Sequence, residues 1–170
     1  MTGAAEADAR LVARVLEPYR ENCRYLRGAE LVETPDKIAA RGRFGISESC
    51  YIDDTGHFNA VEFNICYNQL GYYLIAKCVE DELFPQFSEW SMDDFWKRQL
   101  SNVLIYKFSS RFKGMIDPRS FEGEVSFREP VISDRPGRPS VMFVETSCSF
   151  RDDAGGFAEG EVTLAFTDLP

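Results

Sequence analysis

Residues 59–79 read NAVEFNICYNQLGYYLIAKCV, and this stretch decides the fold. Its apolar residues recur at the spacing of an α-helix, at Val61, Ile65, Cys66, Leu70, Tyr73 and Leu74. Because apolar residues occupy most sides, the pattern predicts a central helix over residues 59–79 that is buried nearly all round. Buried amides require hydrogen-bond partners, so Asn64, Asn68 and Gln69 stand out within it.

Two further helices are predicted on either side of the central one. An apolar stripe that runs from Leu11 to Tyr19 predicts an N-terminal helix over residues 1–20, which Pro18 should end or bend. A short helix is predicted over residues 92–100, with Ser91 as its N-cap.

Five strands are predicted, over residues 38–46, 102–111, 121–132, 141–151 and 157–167, and turn-rich breaks separate the later ones. Alternation is clearest in the last strand, where Glu159, Glu161 and Thr163 share a face that should be solvated. Strands in hairpin-like succession around a buried helix indicate an α+β fold, with an antiparallel sheet wrapped around that helix. A chain of 170 residues suits one such domain over residues 1–170.

Composition excludes several classes of function. A net charge of −9 argues against a nucleic-acid partner, and no apolar stretch approaches the roughly 20 residues that span a membrane. The five cysteines have no zinc-site spacing, so we expect neither a metal nor another cofactor. Their odd number and the acidic residues 1–9 favour a reducing cytoplasm, where each cysteine is expected to be a small buried apolar residue.

One local cluster of positive charge has two interpretations, which the sequence leaves open. Lys107, Arg111, Lys113 and Arg119 could bind the phosphates of coenzyme A or an acidic carrier protein. Alternatively, they form a solvated strand edge whose charges oppose aggregation.

Several motifs resemble the type III fatty acyl-CoA thioesterases of actinobacteria. They are ARVLEPY at 13–19, ISESCYI at 46–52, TGHFNAVE at 55–62, CYNQL at 66–70, WSMDD at 90–94 and SSRF at 109–112. The resemblance runs from about Leu11 to the C-terminus and thins after Phe121, and TGHFNAVE is long enough to be specific.

The resemblance implies a hot-dog fold whose subunits form homodimers or higher oligomers. Carried over by motif, the functional positions of the family are Tyr19, Tyr51, Asn59 and Asn68, which supply no Asp or Glu nucleophile. Similar enzymes of isonitrile-lipopeptide and macrolactam pathways add glycine to an α,β-unsaturated acyl-carrier-protein thioester. They then hydrolyse the adduct to an N-carboxymethyl-β-amino acid.

We therefore expect an acyl-thioester hydrolase that also adds glycine. The amides Asn64 and Gln69 beside Asn68, and the bulky residues after them, favour this bifunctional enzyme. One alternative is a plain fatty acyl-CoA thioesterase, and a second is a non-catalytic acyl-binding module.

The chemistry extends the candidate site beyond the four family positions. His57 is the single histidine and the side chain whose unperturbed pKa suits proton transfer near pH 7; a local role in helix entry is the alternative. Glu62 could orient His57 or act as the base, or it could be a solvated helix residue. Substrate contacts are expected from Gly56, Phe58, Glu62, Tyr72 and Arg111. The bulk of Tyr72 and the residues after it favours a short or medium acyl chain; alternatively, these residues only pack beneath the sheet.

The spacing of Asn59 and Asn68 poses a geometric problem. Nine residues at about 100° each would place the two amides on opposite faces of a continuous helix. Either Asn59 precedes the first helical turn, or the two amides serve different parts of a site that spans a dimer interface.

Overall fold

The computed structural model describes residues 2–53 and 56–170, with side chains from residue 5 onward. The helices are α1 (Thr2–Leu16), α2 (Ala60–Glu80) and α3 (Met92–Arg98). The strands are β1 (Leu26–Thr34), β2 (Lys37–Phe44), β3 (Val103–Phe112), β4 (Phe121–Phe127), β5 (Val131–Ser133), β6 (Val141–Arg151) and β7 (Phe157–Phe166). Three residues lie outside the described ranges. They are residue 1 of the predicted first helix, residue 54 of the predicted turn, and residue 55, which begins the motif at 55–62.

The strands form one antiparallel sheet in the order β1-β2-β4-β6-β7-β3, and the short β5 pairs with β6 beside this path. Helix α2 packs against one face of the sheet, which is the arrangement expected for a hot-dog fold. At the N-terminal end of α2, the rings of Phe58, Phe63, Phe121 and Phe150 pack together with centroids 4.7–6.1 Å apart. This aromatic cluster fixes the end of the helix against the sheet.

Several predicted boundaries are corrected by local chemistry. Helix α1 ends at Leu16 rather than at residue 20, because the ring of Pro18 opposes a further helical turn. Residues 121–132 form two strands, β4 and β5, separated by Pro130, which has no N–H for the ladder. Helix α3 ends at Arg98 rather than at residue 100.

Two predictions about strands were wrong. Strand β1 (Leu26–Thr34) was not predicted, because its buried residues do not alternate regularly along an edge of the sheet. Thr163 is buried rather than solvated, since its hydroxyl donates to the Glu145 carboxylate at 3.0 Å on the neighbouring strand. A buried polar side chain with a cross-strand partner cannot be recognised from alternation alone.

Candidate active site

Helix α2 leaves one face partly open, which corrects the prediction of burial on nearly all sides. Val61 is 46% exposed, and the other residues of this face are half-buried. The helical spacing of these residues places them on one side of α2. We call this set the open stripe: Val61, Asn64, Ile65, Asn68 and Tyr72. Within it, Asn68 Nδ2 donates to Asn64 Oδ1 at 2.7 Å. The stripe therefore presents a polar amide pair between apolar side chains.

A segment before β1 runs along α2 and is held there by Gln69. The Gln69 Oε1 atom accepts hydrogen bonds from the backbone N–H groups of Tyr25 at 3.0 Å and Leu26 at 2.9 Å. Its Nε2 donates to the carbonyl oxygen of Cys23 at 2.6 Å. Gln69 is fully buried, so this amide is used for structure and not for substrate.

Tyr19 borders the open stripe through its neighbour Tyr72. Burial raises the pKa of Tyr19 far above its ordinary value, and the nearby Tyr72 and Cys66 add to that effect. The backbone carbonyl of Tyr19 accepts from Arg24 Nε at 2.9 Å, which fixes the chain at this point. Tyr19 is consequently a hydroxyl donor and not a base at neutral pH.

Tyr51 lies on the loop that connects β2 to α2, beside the same segment. The hydroxyl oxygen of Tyr25 accepts from the backbone N–H of Cys50 at 3.0 Å. Tyr51 itself is 47% exposed. The loop is thus tied to Tyr25 one residue before the exposed Tyr51.

The start of α2 is closed by a capping box. Asn59 Oδ1 accepts from the N–H groups of Val61 at 2.9 Å and Glu62 at 3.2 Å, while Glu62 Oε2 accepts from Asn59 N at 3.2 Å. Asn59 is the N-cap and has extended backbone angles, so it precedes the first helical turn, as the first alternative stated. Glu62 is buried, and its observed role is to cap the helix.

The loop before the cap places three predicted contacts in different surroundings. Gly56 has a φ of +73°, a conformation that a glycine adopts without strain, and the exposed His57 follows it. Phe58 is only 1% exposed and lies in the aromatic cluster, where its N–H donates to the carbonyl of Ile116 at 3.2 Å. His57 therefore faces solvent, whereas the side chain of Phe58 belongs to the core.

Arg111 lies on the sheet face that points away from α2. Its neighbours Ser110 and Phe112 alternate with it along β3, and the Phe112 ring packs against Phe63 of α2. Arg111 pairs in register with Glu159, whose carboxylate binds Lys113 Nζ at 2.6 Å. The sheet therefore separates Arg111 and Lys113 from Asn68.

Of the predicted residues, Asn68 and Tyr72 share the open stripe, and Tyr19 lies near Tyr72. Tyr51 lies on the loop, directly after the residue whose N–H binds Tyr25. His57 and Asn59 lie at the start of α2. Sequence reasoning missed the parts played by Tyr25 and Cys23, which join distant segments. The spacing Asn59-x-x-Glu62 is a capping-box signal and could have identified the role of Glu62.

A groove of about 980 Å³ lies elsewhere, along α1, β1 and the outer face of the sheet. Several of its lining charges form ion pairs, for example Arg41 with Glu124 at 3.0 Å and Arg151 with Glu122 at 3.7 Å. Such a surface does not suit an acyl chain, and the open stripe does not line it. Within the described parts of the chain, no helix is long and apolar enough to cross a bilayer.

An antiparallel sheet around a helix with an open polar stripe defines a hot-dog protein, and solved structures share this fold. A proposed thioesterase from Shewanella oneidensis has a TM-score of 0.55 at 7% identity, covering 95% of this chain and 99% of that one. A σ28-regulated virulence protein from Campylobacter jejuni has a TM-score of 0.52 at 12% identity, covering 94% and 97%. The predicted fold class is confirmed.

The chain belongs to the FcoT-like thioesterase family, whose domain model matches residues 14–166, and it is an enzyme. A Streptomyces coeruleorubidus protein named (2E)-enoyl-ACP glycyltransferase is 46% identical over 163 residues, which are 96% of this chain and 99% of that protein. A Mycobacterium marinum protein of the same name is 43% identical, covering 94% of this chain and 86% of its own. The family predicted from the motifs is confirmed.

Proposed function

We propose that this enzyme adds glycine to an α,β-unsaturated acyl thioester on an acyl carrier protein and then hydrolyses the adduct. The observation that carries the proposal is the similarity, over nearly the whole chain, to relatives named (2E)-enoyl-ACP glycyltransferase. In the first step the amine nitrogen bonds to C3, and C2 receives a proton. In the second, water attacks the thioester carbonyl and releases the carrier thiol and an N-carboxymethyl-3-amino acid.

The two steps have one electrostatic requirement in common. Addition at C3 places negative charge on the thioester carbonyl oxygen as an enolate, and hydrolysis places it on the same oxygen in a tetrahedral intermediate. One set of hydrogen-bond donors can therefore serve both steps. The hydroxyl of Tyr19 and the amide of Asn68 are suitable donors beside the open stripe, which supports a single site without a carboxylate nucleophile.

We assign roles in this reaction to the remaining predicted residues. His57 is exposed just before the N-terminal end of α2. In our proposal it transfers protons to or from the amine and C2. Tyr51 donates a hydrogen bond from the loop, and Asn59 holds the start of the helix in position. The half-buried ring of Tyr72 limits the acyl chain to short or medium length.

We further propose that the enzyme works as a homodimer or a higher oligomer. Strand β3 forms an edge of the sheet, and one side of its backbone is unpaired among the described strands. It exposes large apolar side chains, among them Leu104 and Tyr106, and the latter is 72% exposed. A second copy of the chain could pair with this edge and cover part of the open stripe.

A short enoyl thioester on its carrier protein, incubated with and without glycine and followed by mass spectrometry, tests the proposed reaction. We expect a free acid heavier than the unsaturated acid by one glycine. Release of the unsaturated acid alone in both arms would establish a plain thioesterase. Failure to release any carrier thiol would favour the non-catalytic module.

A further inference from the structure

Helix α2 contains a glycine that its backbone conformation does not require. Gly71 lies in the middle of the helix, where glycine is less favourable than alanine because it loses more conformational freedom on folding. The glycines with positive φ are Gly56, Gly137 and Gly155, and Gly71 is not among them. An alanine could adopt the same backbone, so the space beside Gly71 is the feature that distinguishes this position.

The space beside Gly71 is open. A Cβ atom built on Gly71 meets no heavy atom within 4 Å in the described part of the chain, its two chain neighbours and the nearby backbone of α2 aside. A packed glycine of the same protein behaves differently. At Gly42, the same atom would lie 2.7 Å from Leu26 Cδ1 and 3.0 Å from Leu70 Cδ1. Close packing of α2 against another element is therefore not what excludes a side chain at Gly71.

This open space lies inside the protein and not at its surface. Gly71 is buried, and so are the residues one turn before it and one turn after it on the same side of α2, which are Tyr67, Leu74 and Ile75. The half-buried ring of Phe108 on β3 packs edge-on against Tyr67, with centroids 6.5 Å apart. Protein interiors are packed about as densely as organic crystals, so a gap flanked by aromatic and aliphatic side chains favours an apolar occupant.

The gap begins next to the amide pair of the open stripe. Gly71 and Tyr72 follow Asn68 by three and four residues, so both are its neighbours on the helix surface. Three residues correspond to about 4.5 Å along the helix axis, which is close to the length of the first four carbons of an acyl chain. A thioester carbonyl held by Asn68 therefore brings the carbons after C4 to the level of Gly71.

We propose that the space beside Gly71 receives the acyl chain of the substrate beyond C4, and that Gly71 determines which chain lengths the enzyme accepts. The inference rests on the proposed function and adds the path of the acyl chain to it. Gly71 admits the chain on one side of this path, while the ring of Tyr72 limits it on the other. Each methylene that enters the gap should raise kcat/KM about fourfold until the gap is filled.

Gly71→Ala tests this path, because alanine fills part of the gap without straining the helix. Carrier-bound but-2-enoyl and oct-2-enoyl thioesters are compared in the presence of glycine, with kcat/KM measured from thiol release and the products identified by mass spectrometry. Gly71→Ala should lower kcat/KM for the octenoyl substrate about 10-fold or more and leave the butenoyl value within about twofold of the wild type. Its thermal midpoint should rise by about 2–4 °C, since alanine favours the helix and meets no clash.

Gly42→Ala is the matched control, because Gly42 is a buried glycine of β2 that packs against the same helix. Its new methyl group would press on Leu26 and Leu70, so the thermal midpoint should fall. The ratio of the octenoyl to the butenoyl kcat/KM should nevertheless equal that of the wild type. The two variants therefore separate the added methyl group itself from its position beside the acyl chain.

The outcomes distinguish this inference from the reaction on which it rests. An unchanged ratio of octenoyl to butenoyl kcat/KM in Gly71→Ala would overturn the assignment, whatever the stability of the variant. A lower thermal midpoint together with a smaller oligomer in sedimentation would show that the gap receives a second subunit and not the substrate. A shifted ratio in thiol release without any glycine adduct would keep the path of the acyl chain and refute the glycine addition.

Discussion

Replacing Gln69 by leucine should destabilise the protein by an amount that follows from its three hydrogen bonds. The side chain is fully buried, and it satisfies two backbone N–H groups, of Tyr25 and Leu26, and the carbonyl of Cys23. Leucine has a similar size but leaves all three groups without that partner. Each unsatisfied buried group costs about 1–3 kcal/mol, so the three together predict a loss of about 3–9 kcal/mol of unfolding free energy in Gln69→Leu. That loss is a large part of the roughly 5–15 kcal/mol expected for a whole domain.

Urea denaturation followed by circular dichroism measures this change, and Gln86→Leu is the control. Gln86 is a half-buried amide whose Nε2 makes one long hydrogen bond, to Glu129 at 3.4 Å, and whose Oε1 makes none, so the same substitution there should lower stability by less than about 1 kcal/mol. If Gln69→Leu also lost less than about 1 kcal/mol, the amide would not be what fixes the segment before β1 to α2. The position of Tyr19 would then need another explanation.

Three further predictions concern the site and the buried tyrosines. Tyr51→Phe should abolish turnover and leave the urea midpoint unchanged, because the ring is exposed; an equal loss of folding would make Tyr51 a structural residue. Asn59→Ala should also abolish turnover, and it should cost about 1 kcal/mol by removing the N-cap, which thermal unfolding would detect. Burial raises the pKa of five tyrosines, so above pH 10 the unfolded chain loses protons that the folded chain keeps, and stability should fall as pH rises. Gradual ionisation of the folded protein would contradict this expectation. Absorbance at 295 nm should instead show that five tyrosines ionise together with unfolding: Tyr19, Tyr25, Tyr67, Tyr72 and Tyr73.

The central helix could be predicted from sequence because its signal is local. Apolar residues at helical spacing determine α2 to within one residue at each end, and Asn59 with Glu62 three positions later indicates where it begins. The contacts that assemble the site are of another kind. Gln69 reaches residues more than 40 positions earlier in the chain, and Tyr25 reaches Cys50, 25 positions later. The periodicity of apolar residues does not predict such pairings, because each depends on how distant segments meet after the sheet has formed.

The amides that drew attention in the sequence divide according to the face of α2 on which they lie. Gln69 points toward the segment before β1, where every polar atom of its amide has a backbone partner, so its burial explains its presence without any catalytic role. Asn64 and Asn68 instead lie on the open stripe, where their hydrogen bond leaves further donor and acceptor capacity on each amide. A helix that buries its other faces against the rest of its own chain but leaves this one half-open requires a covering group. Substrate on one part of the stripe and a second subunit on the rest would meet that requirement, which is why the site and the oligomer are proposed together.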